Sequence, residues 1–387
     1  MLPPTQIGSW LNLDLLGQRK PFRIRLLTLM TNNSLPQSDH LRGIDSLRAL
    51  AVVAVILYHL DHSYLPGGFV GVDIFFAISG FVITKSLMER KPKGVISFFT
   101  GFYRRRILRI APALFVYLAI VLTLSSYFIP KTFLSQSIYQ TGTWAIFGAS
   151  NIQLVLSSDG YFAERMDYNP FLHTWSLGVE EQFYLFYPLI LCLLVFASIS
   201  AKKALIRISI IALSLLTTAS LVISIWQTQS QPLQAFYLLP SRFWELALGA
   251  LLYLLVAKRE RQLARNTRTT LSVIATALLL AGLLFANLNN FPFFWAVPAV
   301  LASVLFMFLA SSSQVAETKL SKIFTSRPIV YLGKISYSLY LWHWGVFVLM
   351  RWTVGITLWW QQLLGLALTL IISSLSYKFI ETPIRSG

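Results

Sequence analysis

The sequence predicts an all-α fold, a polytopic membrane helix bundle of about ten transmembrane helices. Three observations carry this expectation. The 387 residues are 56% hydrophobic and only 12% charged, where soluble domains carry about twice that charged fraction. The apolar residues gather into runs of about 20, long enough to cross roughly 30 Å of hydrocarbon. Most Lys and Arg lie between those runs rather than within them. A net charge of +17 would suit nucleic acid if the basic residues were clustered on a soluble face. Their placement excludes that partner and fits loops facing the anionic surface of a lipid bilayer. The single cysteine, Cys192, sits inside an apolar run, which rules out a disulfide framework and a thiolate metal cluster.

Residues 1–40 read as a basic cytoplasmic N-terminal tail, and 41–387 as one transmembrane domain. The opening MLPPTQIGSW has no apolar stretch and cleavage site behind it, so it is not a cleavable signal. The RIRLLTLM stretch of the tail suits either the membrane surface or disorder. Expected spans are 45–62, 68–88, 107–128, 176–198, 205–226, 237–257, 270–287, 293–312, 330–349 and 355–377. The connections test them. Arg19, Lys20, Arg23, Arg25 and Arg42 precede the first span; Lys85, Arg90, Lys91, Lys93 and Arg104 to Arg106 fall in the second connection. Later come Lys202, Lys203 and Arg207, then Lys258, Arg259, Arg261, Arg265 and Arg268, then Lys319, Lys322 and Arg327. Connections between these are nearly free of Lys and Arg, so both termini are expected in the cytoplasm of a bacterial inner-membrane protein. Residues 131–172 would break the alternation as a crossing. They read as non-cytoplasmic, re-entrant or interfacial, with Asp159, Tyr161, Tyr168 and Asn169 suited to sugar contacts.

Ionisable residues inside spans are costly and usually mark function. Arg48 and His59 are 11 residues apart on the first span. Three turns plus about 20° separate them, so both project from one face, about 16 Å apart along the axis. Arg106 and Arg109 are i, i+3 neighbours able to fork onto one phosphate, with Arg105 adding charge beside them. Asp73 and Ser79 lie on the second span, Glu180 and Glu181 on the fourth, Arg242 and Glu245 on the sixth, and His343 on the ninth. Several spans thus place polar groups at a similar depth, which points to a shared polar cavity. No pair has the spacing of a zinc site, and no metal is expected.

These residues are also familiar as a set. Arg48, ten residues and His59 resemble the R-x10-H signature of acyltransferase family 3. GGFVGVDIFFAISGFVIT, the Arg106-x-x-Arg109 pair, HTWSLGVEEQFYLFYP and ISYSLYLWHW follow in that family's order, and the resemblance covers about residues 41–385. It implies an integral membrane O-acyltransferase that moves an acyl group, commonly acetyl, from cytoplasmic acyl-CoA to a sugar hydroxyl of an extracytoplasmic glycan. The acceptor would be lipopolysaccharide O-antigen, peptidoglycan or an exopolysaccharide.

By this resemblance Arg48, Arg106 and Arg109, with Arg105 beside them, would hold the phosphates of acetyl-CoA, the donor substrate. His59 would stand at the chemistry, either deprotonating the acceptor or being acylated itself. Glu180 and Asp73 are the carboxylates expected to orient His59 or the acceptor sugar, Glu180 in preference. Ser79, Glu181, Arg242, Glu245 and His343 would contact the acceptor. Many relatives continue into an SGNH-type domain, whereas this chain stops at YKFIETPIRSG; either it is a stand-alone member or that C-terminal domain is missing. The rival reading is a transporter or flippase of a glycan or lipid-linked sugar without covalent chemistry, for which buried charges on several helices are equally suited.

Overall fold

A computed structural model describes residues 35–90, 92–130, 136–157, 167–196, 199–256, 263–311 and 324–386. The tail to residue 34, with its RIRLLTLM stretch, lies outside the described residues. So do Lys91, Ser158, Asp159, Tyr161, Lys258, Arg259, Arg261, Lys319 and Lys322. Arg42–Gly387 forms one compact unit.

The helices follow the apolar runs. They are α1 (Leu35–Leu60), α2 (Gly71–Met88), α3 (Val95–Phe128), α4 (Gln136–Ile146), α5 (Ser150–Leu156), α6 (Thr174–Phe196), α7 (Ile199–Ser230) and α8 (Pro232–Tyr237). Then come α9 (Leu239–Val256), α10 (Arg265–Phe285), α11 (Phe293–Ala310), α12 (Arg327–Lys334), α13 (Ser336–Trp352) and α14 (Trp359–Ser376). A π-helical turn, Tyr377–Glu381, follows α14. Among the described residues, eight stretches are long and apolar enough to cross a membrane, built on α1, α2, α3, α7, α8 with α9, α10, α11 and α14. These account for eight of the ten expected spans. The other two are α6 and α13, the helices richest in polar motifs. At 17 residues, α13 is only about 25 Å long. Every residue from Ser338 to Val348 is buried, so α13 is sheathed by protein instead of lipid, and polar groups on it face other helices.

The N-terminus of α3 is closed by Ser97, whose Oγ accepts from the Gly94 N–H at 3.0 Å. With 34 residues, α3 is about 51 Å long and outruns the hydrocarbon; Arg104 to Arg109 ride on its first half. Small residues set the closest helix contact, that of α2 on α9. A Cβ on Gly80 would sit 1.8 Å from the Leu246 carbonyl oxygen, and one on Gly249 would sit 1.9 Å from that of Ala77. Without side chains at either point the two backbones touch, the usual device for packing helices in lipid.

The segment expected not to cross forms α4 and α5, 11 and 7 residues long, both too short for a bilayer. They are joined at Gly148, whose φ of 64° is a left-handed conformation that favours glycine. Asn169 differs from its expected role in sugar contact. It is buried, donates to Thr141 at 3.1 Å and accepts from the Phe171 N–H at 2.9 Å, so both ends of its amide are spent on holding the loop. Tyr168 remains exposed and packs on Trp352.

Candidate active site

Three groups of polar side chains stand out, and the helices that carry them explain their separation.

The first lines a cleft between α1, α2, α3, α6 and α13. Arg48 comes from α1, Ser79 from α2, Arg106 and Arg109 from successive turns of α3, Glu180 and Tyr184 from successive turns of α6, and Tyr337 and Tyr340 from α13. Both Glu180 oxygens are engaged: Ser79 Oγ donates to Oε1 at 2.7 Å and the Tyr184 hydroxyl to Oε2 at 2.6 Å. The Arg106 guanidinium lies over the Tyr184 ring at 5.5 Å, a cation–π contact that fixes its plane. Arg48 Nε is buried and has no partner. Three guanidinium groups and one carboxylate thus line the cleft, with Asp45 and Glu381 near Arg48 and Arg109 behind the lining; the lining itself is cationic and suits an anion. Arg105 does not line this cleft; its guanidinium folds back along α3, where a Cβ on Gly101 would sit 3.2 Å from Nη1.

The second group is closed on itself. Arg242 on α9 donates from Nη1 to Asp73 Oδ1 on α2 at 2.8 Å and to Glu245 Oε1 at 2.7 Å, and all three side chains are fully buried. Phe76, Trp175, Phe236 and Phe291 surround the guanidinium, the nearest ring at 4.8 Å. The expectation that Asp73 orients His59, and that Arg242 and Glu245 meet an acceptor, is therefore corrected. These three residues meet each other at the α2–α9 contact, and none lines the cleft.

The third group lies at the C-terminal end of α1, about 16 Å along the axis from Arg48. His59 Nδ1 is 3.0 Å from His343 Nε2, and the two rings are 5.2 Å apart and nearly parallel at 13°. His343 Nδ1 is 3.0 Å from the Leu339 carbonyl oxygen. Trp344 packs edge-on to His59 at 4.6 Å and donates from Nε1 to the Asn169 carbonyl at 2.7 Å. Arg351 donates to the His59 carbonyl at 2.9 Å and to that of Asp167 at 3.0 Å, tying the end of α1 to α13 and the loop. His343 is fully buried, while His59 is partly exposed and can be reached.

The carboxylate expected beside His59 is thus absent, and an imidazole stands in its place. Glu180 lies with the arginines, and Glu181 turns away on α6 to pack on Gly148. Residues that sequence reasoning missed sit between the two ends. Ser176 Oγ is 2.7 Å from the Tyr340 hydroxyl, which donates to the His173 carbonyl at 2.9 Å. The Tyr340 ring packs on Phe75 at 6.2 Å and on His343 at 5.6 Å, so it touches both the cleft and the histidine pair. Spacing could have revealed two of these residues: Tyr184 is i+4 from Glu180 and Tyr340 is i−3 from His343, each on the same helical face. Among the described residues no group of three or more His, Cys, Asp and Glu is arranged to hold a metal ion.

The fold and site define a polytopic membrane protein with a cationic cleft beside the middle of α1 and a reachable histidine at that helix's C-terminal end. Residues 41–378 match the acyltransferase domain of acyltransferase family 3, and the chain belongs to that family. It is 34% identical over 352 residues to the peptidoglycan O-acetyltransferase OatA of Listeria monocytogenes, covering 89% of this chain and 56% of that protein. A putative O-acetyltransferase of Staphylococcus aureus strain COL is 32% identical over 89% of this chain and 57% of its own length. The putative peptidoglycan O-acetyltransferase YrhL of Bacillus subtilis is 30% identical over 90% and 55%. The chain thus spans little more than half the length of these curated relatives. No solved structure matches it.

Proposed function

We propose that this chain is the membrane part of an O-acyltransferase that moves an acetyl group from cytoplasmic acetyl-CoA to a sugar hydroxyl of an extracytoplasmic glycan, peptidoglycan in the first instance. The observation that carries this reading is the pairing on α1 of Arg48, in a cleft lined by three guanidinium groups, with His59 about three turns further along the same helix. The peptidoglycan O-acetyltransferases among its relatives support the acceptor and the acetyl group. Alternating basic connections support the bacterial inner membrane with both termini cytoplasmic, which puts the arginine end on the donor side.

In this reading Arg48, Arg106 and Arg109 bind the donor's phosphates through charge-assisted hydrogen bonds. Glu180 holds Ser79 and Tyr184 and offsets part of the positive charge. The pantetheine arm runs along the cleft toward Tyr340. At His59 the imidazole takes the proton of the acceptor hydroxyl as its oxygen attacks the thioester carbonyl carbon. The carbon–sulfur bond then breaks, and the departing thiolate takes the proton back from the imidazole, giving an ester and free coenzyme A. Transient acylation of His59 would give the same products in two steps.

The test is incubation of purified protein with acetyl-CoA and a peptidoglycan fragment, following free thiol and the mass of the glycan. Release of one thiol for each acetylated sugar is expected. Movement of a glycan across vesicles without thiol release would replace this reading with transport. For the orientation, a reporter fused after Gly387 should be active only as a cytoplasmic marker.

A further inference from the structure

The partner of His59 determines which of its nitrogens can act as a base. The Leu339 carbonyl oxygen can only accept a hydrogen bond, so the proton of a neutral His343 resides on Nδ1, 3.0 Å from it. That leaves a bare lone pair on His343 Nε2. His59 Nδ1, 3.0 Å away, must then be the donor of the bond between the rings. A neutral imidazole carries one proton, so His59 Nε2 has none.

We propose that His343 is a positioning residue that locks His59 in the Nδ1–H tautomer and so presents Nε2 as the proton acceptor for the incoming hydroxyl. This rests on the reading of His59 as the base. In free imidazole side chains a ring flip and a tautomer change are both open. Here the ring of His59 is held between Trp344 and His343, its backbone carbonyl is held by Arg351, and the chain of donors starts at a helix carbonyl that cannot reverse. The device does the work assigned to an orienting carboxylate in other sites, with a neutral group that suits a buried helix. During the reaction the proton taken by Nε2 comes from the acceptor and goes to the thiolate; those on His59 Nδ1 and His343 Nδ1 stay in place.

The experiment uses the full chain labelled with ¹⁵N-histidine, with the His59 signals assigned by their loss in His59→Gln. His59 is expected to show a protonated Nδ1 and an unprotonated Nε2. Transfer from acetyl-CoA to a peptidoglycan fragment is measured beside this in two variants. His343→Gln keeps an acceptor near the position of Nε2 and should retain transfer within about tenfold. His343→Leu removes the acceptor; His59 should lose its tautomer preference and transfer should fall by about a hundredfold or more, the range for a lost base, with acetyl-CoA binding unchanged. A wild-type His59 protonated on Nε2 overturns the proposal even if neither variant folds. So does equal loss in the two variants when both still bind acetyl-CoA. Persistence of transfer in His59→Gln, with the tautomer as expected, would instead strike the reading of His59 as the base and leave the tautomer lock standing.

Discussion

Asp73 and Arg242, separated by 169 residues of sequence, meet at 2.8 Å in a site from which water is fully excluded. The bond joins α2 to α9 where their glycines let the backbones touch, and aromatic rings close around it. Breaking one partner of such a pair leaves an uncompensated buried charge, at a cost of about 3–5 kcal/mol. Arg242→Leu, which strands both Asp73 and Glu245, is therefore expected to lower the melting temperature of the purified protein sharply, and Asp73→Ala less, because Arg242 keeps Glu245 as its partner. In whatever fraction folds, acetyl-CoA affinity should stay near normal. A strong loss of donor binding with an unchanged melting temperature would return these residues to the active site.

Gly80 and Gly249 should tolerate no side chain. An added Cβ would meet a backbone oxygen at 1.8 or 1.9 Å, and neither helix can yield without opening the α2–α9 contact. Gly80→Ala or Gly249→Ala should cost at least the top of the roughly 1–3 kcal/mol range for overpacking. Gly94 is the control. Its Cβ would find nothing within 4 Å, its backbone is extended, and Gly94→Ala should melt as the parent does. Thermal unfolding followed by size-exclusion chromatography measures all three.

Arg106→Ala and His59→Ala should separate binding from chemistry. Each charge-assisted bond contributes on the order of 1.5–3 kcal/mol, so Arg106→Ala should weaken acetyl-CoA binding about tenfold or more. His59→Ala leaves the cleft intact and should bind normally while transfer falls by about two orders of magnitude or more. Titration of the donor and product mass on the same preparations decide this. Loss of donor binding in His59→Ala but not in Arg106→Ala would reverse the two ends of the site.

Glu180→Gln is expected to behave unlike His59→Ala. Glu180 stands among the arginines, and His59 is held by His343. Removing its negative charge relieves repulsion with donor phosphates, so acetyl-CoA should bind a few-fold tighter. The loss of one acceptor frees either Ser79 or Tyr184, and Tyr184→Phe should leave donor affinity within a few-fold of the parent. A collapse of transfer in Glu180→Gln with donor affinity unchanged would restore Glu180 as a partner of the chemistry.

Much of this arrangement was legible before any coordinates. An apolar helix in lipid must satisfy its backbone within itself, so length and hydropathy locate α1, α2, α3, α7, α9, α10, α11 and α14 from local sequence alone. The face shared by Arg48 and His59, and that shared by Arg106 and Arg109, follow from the 3.6-residue repeat of one helix. The segment after α3 was legible as non-crossing from charge alternation, and its two short helices are consistent with that. Depth in the membrane could be counted along each span, which is why Asp73, Glu180, Arg242, Glu245 and His343 were grouped as inward-facing.

Sequence position carries no information about which helix stands beside which at a given depth. That is settled by side-chain packing summed over the whole bundle. Only the tertiary structure decided that Asp73 belongs to Arg242 and Glu245, because α2 and α9 fit closely through Gly80 and Gly249. It also decided that Glu180 faces the arginines, and that His59 meets His343, 284 residues away, because the buried helix α13 brings its polar face against α1.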